Sequence, residues 1–406
     1  MSPPPGVSLA SRVRKLEVSP TVAMAQRARA MRAKGVRVLD FSVGEPDQPT
    51  PARILAAGRE AMEAGHTKYA PAAGLPELRA AIVERYREDF GASFAPEQVT
   101  VAVGGKQALA VLYLAILDRG SEVVIPTPAW PTFAEAARVA GGKPVFVSLS
   151  EKDGFRVSAR AVSGAISART RAIVVNSPSN PTGAVVDPDE LVAIARLARR
   201  KGIVLLYDDT YAHLVFREGG PPSVAALQEA AGDSLVVVGT VSKSYCMTGW
   251  RVGWVIGPRP LAEACAALNS HSVQGPATFA QHAAVVALGG PQDVVRDLAA
   301  EYGRRREFVH PAVAALPGVT CAAPDGGFYV FPNLGRYLSK AVPDTVALTT
   351  RLLDEKAVAL VPGEGFGAPG YARLSFAASL DDLREGVRRL SEFLGALGDG
   401  GEGRRR

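Results

Sequence analysis

The amino-acid sequence predicts an α/β protein with a mostly parallel, doubly wound sheet of seven strands and a smaller α+β domain after it. Short runs rich in β-branched residues alternate with longer amphipathic runs, which is typical of parallel strands joined by helices. This alternation stops near Pro291, where a long charged helix and short strands follow. The chain of 406 residues is also long enough for about two or three domains with a large core.

The elements of the fold follow from these patterns in chain order. An N-terminal helix is predicted at 21–34, and helices with one apolar face are predicted at 107–117 and 187–200. The seven strand candidates are 99–103, 122–125, 144–149, 172–176, 203–207, 235–239 and 252–256. Beyond them we predict a helix at 294–316, strands near 328–331 and 372–376, and a final helix at 380–394.

Domain boundaries are predicted where the composition changes. The first residues are rich in proline and the last are rich in glycine and arginine, which is typical of disordered termini. We therefore predict a flexible segment at 1–17, an N-terminal arm at 18–45 that packs with the small domain, a large domain at 46–291, a small domain at 292–394 and a disordered tail at 395–406.

Composition excludes several classes of protein. The net charge of +6 comes largely from two arginine triplets, and no basic stripe alternates with aromatic residues, so we expect no nucleic-acid partner. Three widely spaced cysteines, Cys246, Cys265 and Cys321, match neither a metal site nor a disulfide framework, and they fit the reducing cytoplasm. No apolar run approaches roughly 18 residues, so we expect no membrane partner.

Lys243 is the strongest candidate for a catalytic residue. It follows an apolar strand and lies in a turn with hydroxyl side chains, and Arg251 follows shortly after. A lysine at an apolar sheet edge is poorly solvated, which favours its neutral, nucleophilic form. Hydroxyl groups and an arginine bind phosphate. The run therefore indicates a Schiff-base lysine beside the phosphate of pyridoxal 5′-phosphate (PLP), whereas an isolated lysine of this kind would more often be a surface residue.

Two glycine- and proline-rich turns follow other predicted strands. Gly104-Gly105-Lys106 opens a helix, where backbone amides and the helix dipole favour an anion, although such glycines often serve geometry alone. The turn from Asn176 to Gly183 places Asn180 after a strand, where its amide could donate to a phenolate oxygen. The alternative is a plain proline-rich loop.

Asp208 closes the apolar strand at 203–207, and Tyr211 follows it. A carboxylate in such a place is costly unless a cation pairs with it, and a protonated pyridine nitrogen is such a cation. Tyr211 could reach the hydroxyl group of the same ring. The alternative for Asp208 is a helix N-cap.

Trp130 and Arg373 are further candidates for ligand contacts. The flat indole of Trp130 could stack on a flat cofactor, although tryptophan is more often plain core. Arg373 lies in an alternating strand-like segment and needs an anionic partner, either a substrate carboxylate or a structural ion pair.

Together these residues resemble the fold-type I PLP enzymes, specifically the class I/II aminotransferases of the bacterial aspartate/prephenate aminotransferase-like group. The resemblance spans roughly residues 18–392 and rests on separated motifs in the family's order. These motifs are Val43-Gly44-Glu45-Pro46-Asp47, Thr67-Lys68-Tyr69 with Gly74, Gly104-Gly105-Lys106-Gln107-Ala108, Asn180-Pro181-Thr182-Gly183, the pair Asp208 and Tyr211, and Lys243 with Arg251.

The resemblance implies a role for each matching residue. Lys243 would carry PLP and move the proton during catalysis. The cofactor's ring would be held by Asp208 at its nitrogen, by Asn180 and Tyr211 at its oxygen, and by Trp130 stacked on its face. Its phosphate would be held by Gly105, Lys106, Thr240 and Arg251, and by Tyr69 of a neighbouring subunit in a homodimer with shared active sites.

The resemblance also implies the substrates, an L-amino acid and a 2-oxo acid such as 2-oxoglutarate. Arg373 would bind the α-carboxylate, with Trp130, Asn180 and Gly44. The Lys106 side chain resembles a group that binds a second, distal carboxylate, which indicates aspartate, glutamate or prephenate. Gln274 and Gly275 depart from the small hydroxyl residues usual in this subgroup. Two alternatives therefore stay open, an aminotransferase of secondary metabolism with a non-acidic substrate, and a lyase, decarboxylase or oxidase of the same fold.

Overall fold

The computed structural model describes residues 7–14, 20–217 and 219–402. In chain order its strands are β1 (Leu39–Asp40), β2 (Val99–Ala102), β3 (Glu122–Thr127), β4 (Lys143–Ser148), β5 (Thr170–Asn176), β6 (Val204–Asp208), β7 (Leu235–Thr240), β8 (Gly253–Ile256), β9 (Tyr329–Val330), β10 (Val358–Ala359), β11 (Val361–Pro362) and β12 (Ala372–Ser375).

The helices alternate with the strands over most of the chain. They are α1 (Ser11–Arg14), α2 (Pro20–Ala33), α3 (Ala52–Glu63), α4 (Pro76–Phe90), α5 (Gly104–Ile116), α6 (Thr132–Val139), α7 (Ala159–Ser163), α8 (Pro188–Lys201), α9 (Val224–Ala231), α10 (Arg259–Ser270), α11 (Thr278–Gly289), α12 (Asp293–Ala314), α13 (Thr345–Lys356) and α14 (Leu380–Glu402). Within the described ranges, none of them has both the length and the apolar character needed to cross a bilayer.

Seven strands form one sheet in the order β2-β8-β7-β6-β5-β3-β4. They are the seven predicted strands, and the prediction of a mostly parallel α/β sheet is confirmed. Strand β8 alone runs antiparallel to its neighbours β7 and β2 within this sheet. It therefore brings the end of β2, and the helix α5 that follows, beside the end of β7.

The central strands are buried on both faces, which explains their nearly continuous apolar sequences. In β5, Ile173 and Val175 belong to the core on one face, whereas Val174 belongs to the core on the other face. Side chains alternate in this way because successive residues of a strand point to opposite faces. Because helices cover both faces of the sheet, a polar molecule could contact the sheet only at the ends of its strands.

A second, smaller core surrounds the three-stranded antiparallel sheet β11-β12-β9. Helices α12, α13 and α14 contribute to it, and α2 packs near strands β10 and β11. The pairing of β1 with β10 also ties the N-terminal part to this region. These contacts follow the predicted α+β character of the C-terminal part of the chain.

The chain ends differ from their predicted description. In the segment 1–17, predicted to be flexible, Ser11–Arg14 forms the short helix α1, and residues 1–6 and 15–17 lie outside the described residues. Helix α14 continues to Glu402, through residues that we assigned to a disordered tail. It continues because Leu397 repeats the apolar spacing of Phe393 and Leu394 and packs against the same core. Residues 403–406 lie outside the described chain.

Candidate active site

A cavity of about 300 Å³ lies where the carboxyl ends of the central strands meet the small sheet. Such strand ends are where α/β sheets bind ligands. The residues around this cavity include ten of the predicted site residues together with Lys243. These are Gly44, Gly105, Lys106, Trp130, Asn180, Asp208, Tyr211, Thr240, Lys243, Arg251 and Arg373.

Lys243 lies in the turn that follows β7, between the buried side chains of Ser242 and Ser244. Its Nζ atom donates a hydrogen bond to the carbonyl oxygen of Gly44 at 2.6 Å. Burial lowers the pKa of Lys243 to about 8, because the charged amine loses its water. A pKa of about 8 leaves about a tenth of the amine neutral at pH 7, which makes Lys243 a usable nucleophile and base.

Asp208 ends strand β6 and is buried. One carboxylate oxygen accepts a hydrogen bond from the backbone N–H of Thr210 at 3.0 Å, so the side chain does cap the following turn, as the N-cap alternative requires. Among the described residues, however, no lysine, arginine or histidine forms an ion pair with Asp208. Burial raises the pKa of this carboxyl group, and a cationic ligand would reverse that shift.

The start of helix α5 forms an anion cradle with the end of β7 and with Arg251. Gly104 has a φ angle of 75°, and a Cβ atom there would lie 2.3 Å from the Arg251 guanidinium. Gly253 of β8 is equally restricted, since its Cβ would lie 2.6 Å from the backbone nitrogen of Gly105. Because the first amides of a helix have no intrahelical acceptor, they can bind an anion here, beside Thr240, whose hydroxyl donates to the Val252 carbonyl at 2.7 Å.

Trp130 and Lys106 form one wall of the cavity. The Trp130 ring meets Phe133 edge-on at 5.4 Å and is partly buried, so it packs against the core of the large sheet and also lines the cavity. The ammonium group of Lys106 lies 5.3 Å from the centre of the same ring. Burial is the main cause that lowers the pKa of Lys106, and the nearby positive charge of Arg251 lowers it further.

Arg373 is buried, with 2% of its surface exposed, yet no carboxylate pairs with it among the described residues. Its two terminal nitrogens donate to Asn180 Oδ1 at 2.9 Å and to the Ser42 carbonyl at 2.8 Å. Its Nε atom is buried without any partner in the described part of the chain. The described residues therefore contain no structural ion pair for Arg373, and its guanidinium fits an anionic ligand.

Several residues around the cavity were missed by sequence reasoning. They are Val22, Thr132, Asn176, Thr210, Ser242 and Tyr329. Asn176 ends β5 and Thr210 follows β6, so their place at strand ends could have indicated them. Tyr329 had no such signal, because it lies in a strand of two residues far along the chain.

Tyr69 lies apart from this cavity. It is 93% exposed and contributes instead to a second cavity of about 460 Å³, with residues 273–279. The hydroxyl of Thr278 donates to the carbonyl of Lys68 at 2.5 Å, which ties the two segments together. Within one chain, Tyr69 therefore does not reach Lys243, and no contact in the described residues tests its predicted role.

No group of three histidine, cysteine, aspartate or glutamate side chains in the described part of the chain could hold a metal ion. Cys246, Cys265 and Cys321 are free thiols.

Comparison with known proteins identifies a family. The sequence model for "Aminotransferase class I and II" matches residues 36–390. The chain is 40% identical to an aspartate aminotransferase of Geobacillus stearothermophilus, over 96% of this chain and 100% of that protein. It is 42% identical to a probable aspartate/prephenate aminotransferase of Aquifex aeolicus, over 95% of this chain and 98% of that protein.

A solved structure gives the same result for the fold. The aspartate aminotransferase of Thermus thermophilus with maleate superposes with a TM-score of 0.90 at 40% identity. The match covers 95% of this chain and all of that chain. Fold type I, predicted from the motifs, is therefore confirmed.

Proposed function

Because the chain belongs to the class I and II aminotransferase family, we propose that it moves the amino group of a dicarboxylic L-amino acid, of the aspartate or glutamate type, to a 2-oxo acid such as 2-oxoglutarate. One observation carries this proposal. A partly buried lysine lines the same cavity as a buried carboxylate and a buried guanidinium, neither of which has an ion-pair partner in the described residues. The family membership favours amino transfer over lyase, decarboxylase or oxidase chemistry.

The residues present fit PLP as the cofactor. Asp208 has no ion-pair partner in the described part of the chain and would pair with a protonated ring nitrogen. The glycine-lined start of α5, with Thr240 and Arg251, has the donors that a phosphate needs. Trp130 would cover the ring face, Asn180 and Tyr211 would hold the ring oxygen, and Lys243 would hold the cofactor covalently through its amine. When bound, PLP supplies an electron-withdrawing ring that stabilises the charge left at the substrate α-carbon.

The chain's own residues would then orient the substrate and move one proton. Arg373 would bind the α-carboxylate through its fork of N–H groups, and Asn180 would fix the orientation of that fork. With the carboxylate fixed in this way, the α-hydrogen of the substrate would lie within reach of Lys243. The Lys243 amine, with a pKa of about 8, would accept this proton at Nζ. In the second half of the reaction it would give a proton to the α-carbon of the 2-oxo acid as that acid becomes the product amino acid.

Lys106 would select substrates that carry a second carboxylate. Its ammonium lies on the Trp130 side of the cavity, and Arg251 beside it adds positive charge. A second carboxylate would relieve the repulsion between these two cations, whereas an apolar side chain would leave it uncompensated. The names of the relatives, which include aspartate and prephenate, support the same substrate class.

Replacing Lys106 with alanine should lower kcat/KM for aspartate by about 10- to 100-fold, because one charge-assisted contact contributes about 1.5–3 kcal/mol. With alanine as the amino donor, which has no second carboxylate, kcat/KM should change by less than about threefold. The measurement is therefore the ratio of kcat/KM for aspartate to kcat/KM for alanine. Lys143→Ala, which removes an exposed lysine of β4, is the matched control. An unchanged ratio in Lys106→Ala would show that Lys106 does not bind the distal carboxylate.

The rate at which PLP attaches to cofactor-free protein should depend on pH. Only the neutral amine of Lys243 attacks the aldehyde, and its pKa of about 8 lies below the ordinary value of 10.5. The rate should therefore rise about tenfold from pH 6 to pH 7 and level off above pH 8 to 9. Stopped-flow absorbance measures it, with free lysine as the control. A rate that keeps rising tenfold per pH unit up to pH 10 would contradict a lowered pKa.

We also propose a homodimer in the cytoplasm. The phenol of Tyr69, which is 93% exposed and lies near residues 273–279, supports this proposal, because it would be free to contact a neighbouring subunit. Three free cysteines suit a reducing compartment. The mass of the protein in solution tests the dimer, since a monomer that is fully active would exclude a shared site.

The substrate class is tested by supplying the PLP-loaded protein with a panel of L-amino acids and 2-oxoglutarate. We expect glutamate to form in step with the oxo acid of the donor, fastest with aspartate. Release of ammonia without a matching amino acid product would instead support a lyase or oxidase. Faster turnover of apolar donors would support the non-acidic alternative.

A further inference from the structure

Two buried phenols meet at the inner end of the cavity. The hydroxyl groups of Tyr211 and Tyr329 lie 2.8 Å apart, a hydrogen-bond distance. Tyr211 follows strand β6 of the large sheet, whereas Tyr329 belongs to β9 of the small sheet. The bond therefore joins the two sheets beside the place proposed for the cofactor.

The register of the small sheet places Tyr329 next to Arg373. Ser375 of β12 pairs with Tyr329 of β9, and Arg373 lies two residues before Ser375, so it points to the same face. The guanidinium carbon of Arg373 lies 4.5 Å from the centre of the Tyr329 ring. On another side, a Cβ atom at Gly44 would lie 2.6 Å from the Tyr329 oxygen, so the phenol has little room to turn. The backbone of Gly44 and the side chain of Arg373 therefore restrict the position of the Tyr329 hydroxyl.

Each phenol carries one hydrogen, and this decides the direction of the bond. If Tyr211 donates its hydrogen to the ring oxygen of the cofactor, as proposed above, its own oxygen is left as an acceptor. Tyr329 must then be the donor between the two phenols. Burial raises the pKa of the Tyr329 phenol, and the charge of Arg373, whose guanidinium carbon lies 4.5 Å from the ring centre, opposes this rise and so favours Tyr329 as the donor.

We propose that Tyr329 is a positioning residue whose hydroxyl donates to Tyr211 and so directs the Tyr211 hydrogen to the ring oxygen of the cofactor. The inference rests on the proposed function, since it requires PLP in this cavity. Tyr329 does not touch the reacting atoms. Tyr329 acts through Tyr211. Because Tyr329 and Arg373 lie on the paired strands β9 and β12, the strength of the contact between Tyr211 and the ring oxygen would depend on these strands.

The test follows the visible absorption of the PLP-loaded protein as a function of pH. A donor at the ring oxygen makes the bound chromophore lose its proton at a lower pH, so removing that donor raises the midpoint. Tyr211→Phe should raise it by about one to two pH units. Tyr329→Phe removes only the donor behind Tyr211 and should raise it by about 0.2–0.5 unit.

The double variant separates an effect through Tyr211 from a general effect of the mutation. In a Tyr211→Phe background, Tyr329→Phe should cause no further shift, because the group through which it acts is gone. Tyr302→Phe removes a buried hydroxyl from the same aromatic cluster, away from the cavity, and should leave the midpoint unchanged. The melting temperatures of Tyr302→Phe and Tyr329→Phe show how much each substitution changes the stability of the fold.

The affinity for maleate, followed through the same absorption band, gives a second readout. It should change by less than about twofold in Tyr329→Phe, because the ring beneath Arg373 is retained. An unchanged midpoint, a shift that persists in the Tyr211→Phe background or an equal shift in Tyr302→Phe would each overturn the inference. So would a loss of maleate affinity without a midpoint shift. Absence of any visible band in the wild-type protein would instead contradict the proposed cofactor.

Discussion

Lys243→Ala is expected to lower the rate of transamination by a factor of at least about 10⁴, because it removes both the covalent attachment and the base that moves the proton. The loss should appear in kcat with every amino donor. Addition of a small primary amine should restore part of the rate, since a free amine can reach a cavity of about 300 Å³ once the side chain is removed. Steady-state kinetics with and without the amine is the measurement.

Two controls make this result specific. Lys106→Ala removes another lysine of the same cavity, and its activity should not respond to the added amine. Treatment with borohydride should fix PLP to the wild-type protein and not to Lys243→Ala. A protein–cofactor link that is still reducible in the variant would assign the attachment to a different residue.

Arg373→Met is expected to lower kcat/KM for aspartate by about 10²–10⁴, since two charge-assisted contacts to the α-carboxylate contribute about 3–6 kcal/mol together. The protein should nevertheless lose no more than about 1–2 kcal/mol of stability, because removal of a buried charge offsets the lost hydrogen bonds to Asn180 and to the Ser42 carbonyl. Arg373 has no ion-pair partner in the described residues, so its removal takes an uncompensated charge out of the interior. Kinetics and chemical denaturation of the same variant measure the two effects.

Arg305 of α12 provides the matched control. It is also a buried arginine, but its guanidinium pairs with Asp47 at 2.8 Å and with Glu301 at 2.8 Å. Arg305→Met should therefore lower the free energy of unfolding by about 3–5 kcal/mol, because it leaves carboxylates without their partner. A similar loss of stability in Arg373→Met, or a loss of kcat/KM below about tenfold, would show that Arg373 is a structural residue.

The sequence predicted those parts of the molecule whose local pattern is strong. Strand β7 is a continuous apolar run because both of its faces are buried, and the same burial makes Lys243 at its end a nucleophile. Asp208 and Asn180 could be predicted for a similar reason, since Asp208 ends strand β6 and Asn180 follows strand β5, and the carboxyl ends of both strands lie at the cavity. At these positions the burial of a strand produces the apolar pattern, and the end of the same strand lies at the cavity.

The remaining features depend on contacts between distant segments. Tyr329 is recognisable only through the register of β9 against β12 and the phenol of Tyr211, none of which leaves a periodic pattern. Helix α14 extends past its predicted end because Leu397 finds a core surface supplied by other helices. The role of Tyr69 depends on a second chain, so neither the sequence pattern nor a single chain can test it.

The antiparallel strand β8 has a consequence for how the protein is made. The cradle for the phosphate needs Gly105 of α5 and Thr240 of β7 side by side, and β8 holds them there through its pairing with both β2 and β7. A growing chain that has not yet produced Ile256 cannot complete this pairing, because β8 is the last strand of the large sheet to be synthesised. Contacts of such long sequence separation form late in folding. Binding of the proposed cofactor would therefore require a chain whose large sheet is complete.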